Sequence, residues 1–231
     1  MEPTDYKIVD VGDFRIVTRR GTNDVAVAGE VILGGAYSYK EFIHPEPDDV
    51  WLDVGGHIGS FALSIFRSVR CVICCEPEPD NWEILNLNLV RQRAENVIPL
   101  HVAVVGNTDR TRSLYVQPGP NRGVHSLVVK GRGEAEAVRA ANVGYLVDKC
   151  LVNKIKLDCE GAEYEILMGL DARLWPRIRE VVLEYHHGLL RNIPSAYADL
   201  EELLRSYFRT VVMEGRGRQL GQSIFYAGDP K

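Results

Sequence analysis

The sequence predicts an α/β fold, in which a mostly parallel sheet is flanked by helices and ends in an antiparallel hairpin. Runs rich in branched residues recur along the chain with amphipathic stretches between them, which is typical of parallel strands joined by crossover helices. Several of these runs end in glycine, where a strand commonly turns into a helix. The last two runs, TVVMEG and QSIFYAG, are separated by a glycine-rich segment long enough only for a hairpin.

The first 45 residues precede the first parallel strand and are predicted to form a β-rich extension, an extra layer on the core. Residues 6–20, YKIVDVGDFRIVTRR, have the pattern of two strands in a hairpin. Residues 29–42, GEVILGGAYSYKEF, would add a further layer. With 231 residues and a hydrophobic content of 45%, this extension and a core of residues 46–231 fit in one domain.

The first half of the core predicts three strands and two helices. The strands are VWLDV (50–54), CVICC (71–75) and NVIPLHVAVVG (96–106). SFALSIFRSV follows the first strand as a helix, with Ser60 as its N-terminal cap. In the helix after the second strand, one apolar face is expected to hold Trp82, Leu85, Leu89 and Val90.

Residues 106–150 interrupt this rhythm and are predicted to form an insertion. The stretch GEAEAVRAAN (133–142) is a possible helix, and Asn121, His125 and Ser126 are polar candidates to line a binding site. Such long excursions are usually functional, since loops supply specificity. After the insertion, the predicted elements are a strand in NKIKLDCEG (153–161), a short helix in AEYEILMGL, a strand in REVVLEY (179–185) and a helix starting near Pro194 and Ser195.

Composition excludes several classes of function. The net charge of -5 gives no general attraction to polyanions, so nucleic-acid binding is not expected, and arginine pairs such as Arg19 and Arg20 are expected to be solvated. The stretch MEPTDYKIVD has no basic region followed by an apolar one, and no apolar segment approaches membrane-spanning length, so we expect a cytoplasmic protein without membrane insertion. The five cysteines are expected to be reduced, because Cys150 and Cys159 do not complete a zinc-binding spacing.

A glycine-rich turn follows the first parallel strand. Asp53, Gly55, Gly56 and Gly59 form the pattern D-x-G-G-x-x-G, which matches neither the dinucleotide fingerprint nor the P-loop and so disfavours a nicotinamide dehydrogenase. The pattern resembles the turn of class I S-adenosylmethionine-dependent methyltransferases. In that setting the glycines leave room for the methionine portion of the cofactor, and Asp53 organises the turn and reaches the ammonium group directly or through water.

Glu76 provides a second signal at the end of the next strand. It lies 23 residues after Asp53 and is followed by Pro77. The two hydroxyls of a ribose are adjacent donors, and one carboxylate can accept both. We therefore expect Glu76 to bind a ribose.

Four separated motifs together resemble the FkbM family of S-adenosylmethionine-dependent methyltransferases over about residues 30 to 190. They are the glycine turn, E-P, K-x-D-x-E-G-x-E and a strand ending in E-x-H. The last three correspond here to Glu76 and Pro77; Lys156, Asp158, Glu160, Gly161 and Glu163; and Glu184 and His186. The turn departs from the family at Gly56 and His57, where Ala and Asn are usual, and His57 is expected either to contact the methionine end or to face solvent.

The resemblance implies a Rossmann-like class I methyltransferase with a central, mostly parallel seven-stranded sheet. It implies S-adenosyl-L-methionine as cofactor and O-methylation of a hydroxyl on a small molecule or glycan, with the insertion binding the acceptor. It also suggests that the N-terminal layer closes over the cofactor at Tyr37. The predicted cofactor-binding residues are Tyr37, Asp53, Gly55, Gly56, His57, Gly59, Glu76, Pro77 and Ala103.

The catalytic candidates lie at strand ends that face the cofactor crevice in this architecture. Asp158 and Glu160 are two residues apart and would share one face of a continuing strand. Either His186 or His187 is a candidate general base, because a hydroxyl acceptor has a pKa far above neutrality. The predicted catalytic residues are Asp158, His186 and Glu160, and a divalent ion held by this cluster stays open.

Two alternatives to O-methylation remain open. One is an N-methyltransferase acting on protein or RNA, although no NPPY or DPPY tetrapeptide occurs to grip an exocyclic amine of a base. The other is a family member that binds the cofactor without turnover. The expected partner is a small-molecule or glycan acceptor.

Overall fold

A computed structural model describes residues 5–38, 42, 44–130, 135–190, 193–215 and 222–231. The strands in this part of the chain are β1 (Tyr6–Val11), β2 (Phe14–Arg19), β3 (Val50–Val54), β4 (Cys71–Cys75), β5 (Val97–Leu100), β6 (Ala103–Val105), β7 (Thr111–Tyr115), β8 (Ala135–Asn142), β9 (Lys154–Leu157), β10 (Glu180–His186), β11 (Phe208–Gly215) and β12 (Gln222–Pro230). The α-helices are α1 (Asp24–Ile32), α2 (Ser60–Ile65), α3 (Pro79–Gln92), α4 (Val143–Cys150), α5 (Glu163–Met168) and α6 (Ala196–Tyr207).

A seven-stranded sheet forms the centre of the molecule, in the order β11-β12-β10-β9-β3-β4-β5. The five strands from β10 to β5 run parallel, whereas β12 is antiparallel to both β10 and β11. The predicted fold class, a mostly parallel sheet of seven strands with a C-terminal antiparallel hairpin, is confirmed. The strand order reverses between β3 and β9, where open α/β sheets form a crevice at their carboxyl ends.

Helices cover both faces of this sheet, which explains why its strands are continuous apolar runs. All five residues of β3 are buried. On one face, α4, α5 and α6 contribute Leu146, Ile166 and Leu200 to the larger hydrophobic core. On the other face, α2 and α3 pack with the N-terminal hairpin, and Leu63 shares a core with Ile16.

The N-terminal extension is only partly β, which corrects the sequence prediction. Strands β1 and β2 form the predicted hairpin. Residues 24–32 form helix α1 instead of extended structure, because Asp24, Ala28 and Ile32 turn one side toward the core at helical spacing. Residues 39–41, at the end of the predicted layer, lie outside the described residues.

Two elements near the insertion were predicted wrongly. The expected strand over residues 96–106 breaks at His101 into β5, which edges the main sheet, and β6, which joins a separate sheet in the order β6-β8-β7. The expected helix over residues 133–142 is strand β8, which pairs parallel with β6 and antiparallel with β7. The helix propensity of its alanines and glutamates is overridden by these tertiary hydrogen bonds.

Local predictions at α2 and α3 also need correction. Gly59, not Ser60, occupies the N-terminal cap position of α2. Val90 is 79% exposed, because the buried face of α3 is displaced to Asn81, Ile84, Leu85, Asn88 and Leu89. The sequence pattern missed this displacement because two polar asparagines belong to the buried face.

All five cysteines are free of disulfides. Among the described residues, no helix combines the length and the apolar character needed to cross a membrane.

Candidate active site

A cavity lies at the carboxyl ends of β3, β4 and β9. Its volume is about 670 Å³ when the space that opens to solvent is included. This is the crevice where the strand order reverses. Its walls combine loops after these strands with residues of the insertion and of α1. The lining residues are Val27, Val54, Gly55, His57, Cys75, Glu76, Pro77, Asn81, Val102, Ala103, Val104, Leu114, Gly123, His125, Leu127, Asp158, Cys159 and Glu160.

The turn after β3 forms one wall of the cavity and needs glycine for close approach. Gly55 has a positive φ of 78°, and a Cβ there would lie 1.8 Å from the carbonyl oxygen of Asp158. A Cβ on Gly56 would lie 2.3 Å from the Cys74 sulfur. The departure from the family's usual alanine at Gly56 is therefore linked to the cysteine on the neighbouring strand.

Asp53 lies beneath the turn, fully buried. Its carboxylate pairs with the Lys156 ammonium at 3.0 Å and accepts a hydrogen bond from the Cys74 thiol at 3.3 Å. Lys156 in turn donates to the carbonyl oxygen of Gly55 at 2.9 Å. Burial disfavours the charge of Lys156, but the carboxylates of Asp53 and Asp158 together outweigh it and raise the pKa of the ammonium. Asp53 thus supports the turn from below through Lys156.

Glu76 lines the cavity at the end of β4 and joins two loops. One carboxylate oxygen accepts from the His57 amide at 2.8 Å, and the other accepts from the Glu78 amide at 2.9 Å. The side chain of Asn81 approaches the second oxygen at 3.4 Å. Burial raises the pKa of Glu76 to about 7, although these hydrogen bonds oppose the shift. The sequence placed Glu76 at the site but did not single out Asn81.

His57 packs against the N-terminal hairpin with only 12% of its side chain exposed, so it is not a solvent-facing turn residue. Its Nε2 lies 3.5 Å from Asp24, which accepts two hydrogen bonds of 2.9 Å from the Arg19 guanidinium. Burial lowers the pKa of His57 to about 4, so the ring is neutral at pH 7. Arg19 is only 4% exposed, which corrects the expectation that it is solvated. Nothing in the sequence around His57 indicates that its side chain lies beside Asp24 and Arg19.

Asp158, Glu160 and His186 converge at the opposite end of the cavity. His186 Nε2 lies 3.5 Å from Glu160 and 3.9 Å from Asp158. Strand β9 ends at Leu157, so the two carboxylates do not share a strand face as predicted. They meet because the chain turns after the strand, with Glu160 at a positive φ of 54°.

Glu163 holds this turn in place from the start of α5. Its two carboxylate oxygens accept from the amides of Cys159 and Gly161, each at 3.0 Å. The same carboxylate lies 3.4 Å from His186 Nδ1. The E-G-x-E part of the motif therefore ties the loop after β9 to the end of β10.

The ionisation of the three groups follows from their surroundings. Burial works against the charge of Asp158, but Lys156 and His186 outweigh it and lower the pKa of its carboxyl. Burial raises the pKa of Glu160 to about 8. Burial also disfavours the charge of His186, but the surrounding carboxylates raise its pKa to about 10. At pH 7 Asp158 is ionised and His186 carries a proton.

Tyr37 reaches the site through Asp158. Its hydroxyl donates to the Asp158 carboxylate at 2.5 Å, and its ring packs edge-on against Phe61. The Lys156 ammonium lies 5.2 Å from the ring centroid. The structure therefore places Tyr37 behind the carboxylate, where it fixes the position of Asp158.

The insertion reaches the cavity through His125. The Gln117 amide donates to His125 Nδ1 at 3.0 Å, and burial lowers the pKa of the ring to about 4. Ser126 donates to the carbonyl oxygen of Glu160 at 2.6 Å, whereas Asn121 accepts from Asn23 outside the cavity. Of the three polar candidates, only His125 is a lining residue.

Seven of the predicted site residues line the cavity together: Gly55, His57, Glu76, Pro77, Ala103, Asp158 and Glu160. Asp53, Gly56 and Tyr37 support these residues from behind, Gly59 begins α2, and His186 lies beside the two carboxylates. His187, the alternative base, points to Ser223 with 2.8 Å between Nε2 and the hydroxyl. It is therefore turned away from this cluster.

Comparison with known proteins connects this geometry to a family. The sequence profile described as "Methyltransferase FkbM domain" matches residues 53–209. A hexuronic acid methyltransferase, AglP, from Haloferax volcanii is 30% identical over 146 residues, which are 62% of this chain and 59% of AglP. The 31-O-demethyl-FK506 methyltransferase FkbM from Streptomyces tacrolimicus is 26% identical over 200 residues, 73% of this chain and 75% of the relative.

The fold has solved counterparts as well. The crystal structure of a methyltransferase FkbM from Methylobacillus flagellatus superposes with a TM-score of 0.58 at 14% identity. The superposition covers 82% of this chain and 46% of the solved chain. This likeness supports the same sheet topology.

Proposed function

Because the chain belongs to the FkbM family of methyltransferases, we propose that it transfers a methyl group from S-adenosylmethionine to a hydroxyl of a small molecule or glycan. One observation carries the proposal: a single cavity joins Glu76, at one end, to the carboxylates of Asp158 and Glu160 at the other. The names of two relatives support an oxygen acceptor, since one denotes a hexuronic acid methyltransferase and the other a 31-O-demethyl-FK506 methyltransferase.

The lining residues fit the cofactor in shape and polarity. Glu76 offers a buried carboxylate to the ribose hydroxyls, and the turn at Gly55 leaves space for the methionine portion. Val102, Ala103 and Val104 give an apolar wall suited to the adenine ring. Within the described residues, His57 Nδ1 and His125 Nε2 are buried without hydrogen-bond partners. A molecule bound in this cavity would supply hydrogen-bond partners for these two nitrogen atoms.

When bound, the cofactor supplies an electrophilic methyl carbon on a sulfonium, so positioning the attacking oxygen provides much of the rate. Asp158 is the residue that accepts the hydroxyl proton in this proposal. It lines the cavity, it is ionised, and Tyr37 fixes one of its oxygens. His186 carries a proton and holds the neighbouring carboxylates, so the base role expected for His186 passes to Asp158.

Residues 106–150 are assigned to the acceptor side of the site. Leu114, His125 and Leu127 line the cavity from this segment. Residues 1–45 are assigned to a lid, because Val27 lines the same cavity and Asp24 contacts His57. The described parts of both segments lie outside the seven-stranded sheet, where specificity is usually built.

The experiment is methyl transfer from labelled cofactor to hydroxylated acceptors, including hexuronic acid glycosides, with protein and RNA fractions in parallel. We expect label in an alkali-stable ether of a small molecule or glycan. Label in protein or RNA instead would support the N-methyltransferase alternative. Tight binding of S-adenosylhomocysteine without any transfer would support a member that binds the cofactor without turnover.

An Asp158→Asn variant sharpens this test. It should bind S-adenosylhomocysteine within a few-fold of the wild type and lose at least a hundredfold in methyl transfer, as removal of a general base does. Full transfer by the variant would overturn the role given to Asp158.

A further inference from the structure

We propose that Asp158, Glu160 and His186 form a binding site for one divalent cation of the Mn²⁺ type beside the cavity. The three residues each offer one ligand atom, and these atoms lie within 4.8 Å of one another. Asp158 and Glu160 also line the cavity, so an ion held here would face the space assigned to the acceptor.

The distances are close to those of a bound ion. Adjacent ligands in an octahedral site lie about 3 Å apart, since each ligand atom is about 2.1 Å from the metal. His186 Nε2 lies 3.5 Å from Glu160 Oε2 and 3.9 Å from Asp158 Oδ1. These two distances exceed the octahedral spacing by about 0.5–0.9 Å, and the ligand atoms of Asp158 and Glu160 lie within 4.8 Å of each other. The backbone at the ends of β9 and β10 already places the three residues.

His186 gives an independent indication of a ligand. It is only 5% exposed, and neither ring nitrogen forms a hydrogen bond in the described part of the chain. The carboxylates of Glu160 and Glu163 lie within ion-pairing distance of the ring but without hydrogen-bond geometry, so a better-placed partner would stabilise its nitrogens. Glu163 lies 3.4 Å from Nδ1, on the side away from the other two carboxylates. In the metal-free protein His186 carries a proton, which a bound ion would displace from Nε2, while Glu163 beside Nδ1 would orient the imidazole.

The local charge favours a cation. Asp158, Glu160, Glu163 and Glu184 surround the ring of His186. The ammonium of Lys156 is engaged by Asp53 and by the carbonyl oxygen of Gly55. The side chains of Asp158 and Glu160 are 28% and 15% exposed, so an ion can enter from the cavity.

A second acidic cluster in the described residues provides a contrast and a control. Glu46, Asp48 and Asp49 also meet the geometric condition for a metal. There, Arg179 binds Asp48 at 2.9 Å and Lys154 binds Asp49 at 2.9 Å. Protein cations already neutralise this cluster, whereas the cluster at His186 has one imidazole for four carboxylates.

The donor set selects the ion. Two carboxylate oxygens with one imidazole nitrogen suit Mn²⁺ better than Ca²⁺, which prefers oxygen ligands alone. An ion there lowers the pKa of a hydroxyl that coordinates it. The inference builds on the proposed acceptor position, but metal binding is measured without any acceptor. It can therefore fail or succeed independently of the proposed reaction.

The first test is titration of the full chain with MnCl₂, with free Mn²⁺ followed by electron paramagnetic resonance. We expect one saturable site per chain, at least tenfold weaker in Glu160→Gln. Asp48→Asn, in the contrast cluster, should bind within twofold of the wild type. Absence of saturable binding would overturn the proposal, as would loss in Asp48→Asn with Glu160→Gln unaffected.

The second test identifies the imidazole ligand and does not depend on how a variant folds. Pulsed resonance of bound Mn²⁺ in the wild-type chain should show a coupling to one ¹⁴N nucleus. His186→Gln should lose this coupling. A wild-type spectrum without nitrogen coupling would show that His186 is not a ligand.

Discussion

Glu76 is the residue on which cofactor affinity is expected to depend most. Its carboxylate already accepts hydrogen bonds from the His57 and Glu78 amides. The remaining lone pairs of its two oxygens are available to the proposed ribose hydroxyls. Glu76→Gln replaces one acceptor oxygen by a donor group. We expect its affinity for S-adenosylhomocysteine to fall at least tenfold by calorimetry. Glu83→Gln, exposed on α3, is the matched control.

The same residue predicts a pH dependence of stability. Burial raises the pKa of Glu76 to about 7 from an ordinary value of 4.5, so the folded state binds its proton more tightly than the unfolded chain. This contribution is fully present below pH 4.5 and is lost as pH rises through about 7. Relative to Glu76→Gln, the wild type should lose on the order of 2–3 kcal/mol between pH 5 and 8. Denaturant unfolding of both proteins at the two pH values measures this difference.

Tyr37 tests whether a residue behind the site acts on chemistry or on cofactor binding. Its hydroxyl bonds Asp158, and its ring lies outside the cavity wall. Tyr37→Phe should therefore lower kcat about tenfold while the affinity for S-adenosylhomocysteine changes less than threefold. A variant with unchanged kcat and weakened affinity would return Tyr37 to the cofactor-binding role first predicted for it.

At the scale of elements, the turn after β3 packs so closely against strand β4 that Gly56 has no space for a Cβ beside the Cys74 sulfur. Gly56→Ala would bring a methyl group into the Cys74 sulfur and should destabilise the protein by about 1–3 kcal/mol. Cys74→Ala removes that sulfur. The double variant should therefore recover most of the loss caused by Gly56→Ala, which a double-mutant cycle from denaturant unfolding measures. Additive losses would show that the contact is relieved in another way.

Asn88 links helix α3 to two other elements. It accepts from the Val17 amide at 2.6 Å and donates to the carbonyl oxygens of Val17 and Ile58. Asn88→Ala leaves buried backbone groups unpaired and should lower the free energy of unfolding by about 2–4 kcal/mol. Asn86→Ala, which loses a single bond to its own helix, should cost less than about 1 kcal/mol.

At the scale of the whole molecule, three parts of the chain line the cavity: the sheet, the insertion and the N-terminal extension. A ligand that binds only this folded arrangement should stabilise all of it. At a hundredfold excess over its dissociation constant, S-adenosylhomocysteine should raise Tm by about 5–10 °C. NAD at the same concentration should leave Tm unchanged, and a shift with NAD alone would contradict the proposed function.

Much of this fold follows from local sequence. Apolar runs such as VWLDV and CVICC mark the buried strands, because a strand covered on both faces needs apolar residues at every position. Gly55 and Glu76 mark the strand ends, since a turn that approaches β9 needs a residue without Cβ and the proposed ribose needs a paired acceptor. The mostly parallel class of the sheet follows from such signals, and seven of the predicted site residues line the cavity.

Only the tertiary structure decided the remaining contacts. Residues 135–142 form strand β8 because β6 and β7 satisfy their backbone, against their helix propensity. Arg19 is buried beside His57, 38 positions away, because α1 and the hairpin pack over the turn. His186 meets Asp158 and Glu160 because β9 and β10 are neighbours in the sheet. The sequence by itself determined the strands and the residue types at their ends, whereas long-range pairing decided which of those ends meet.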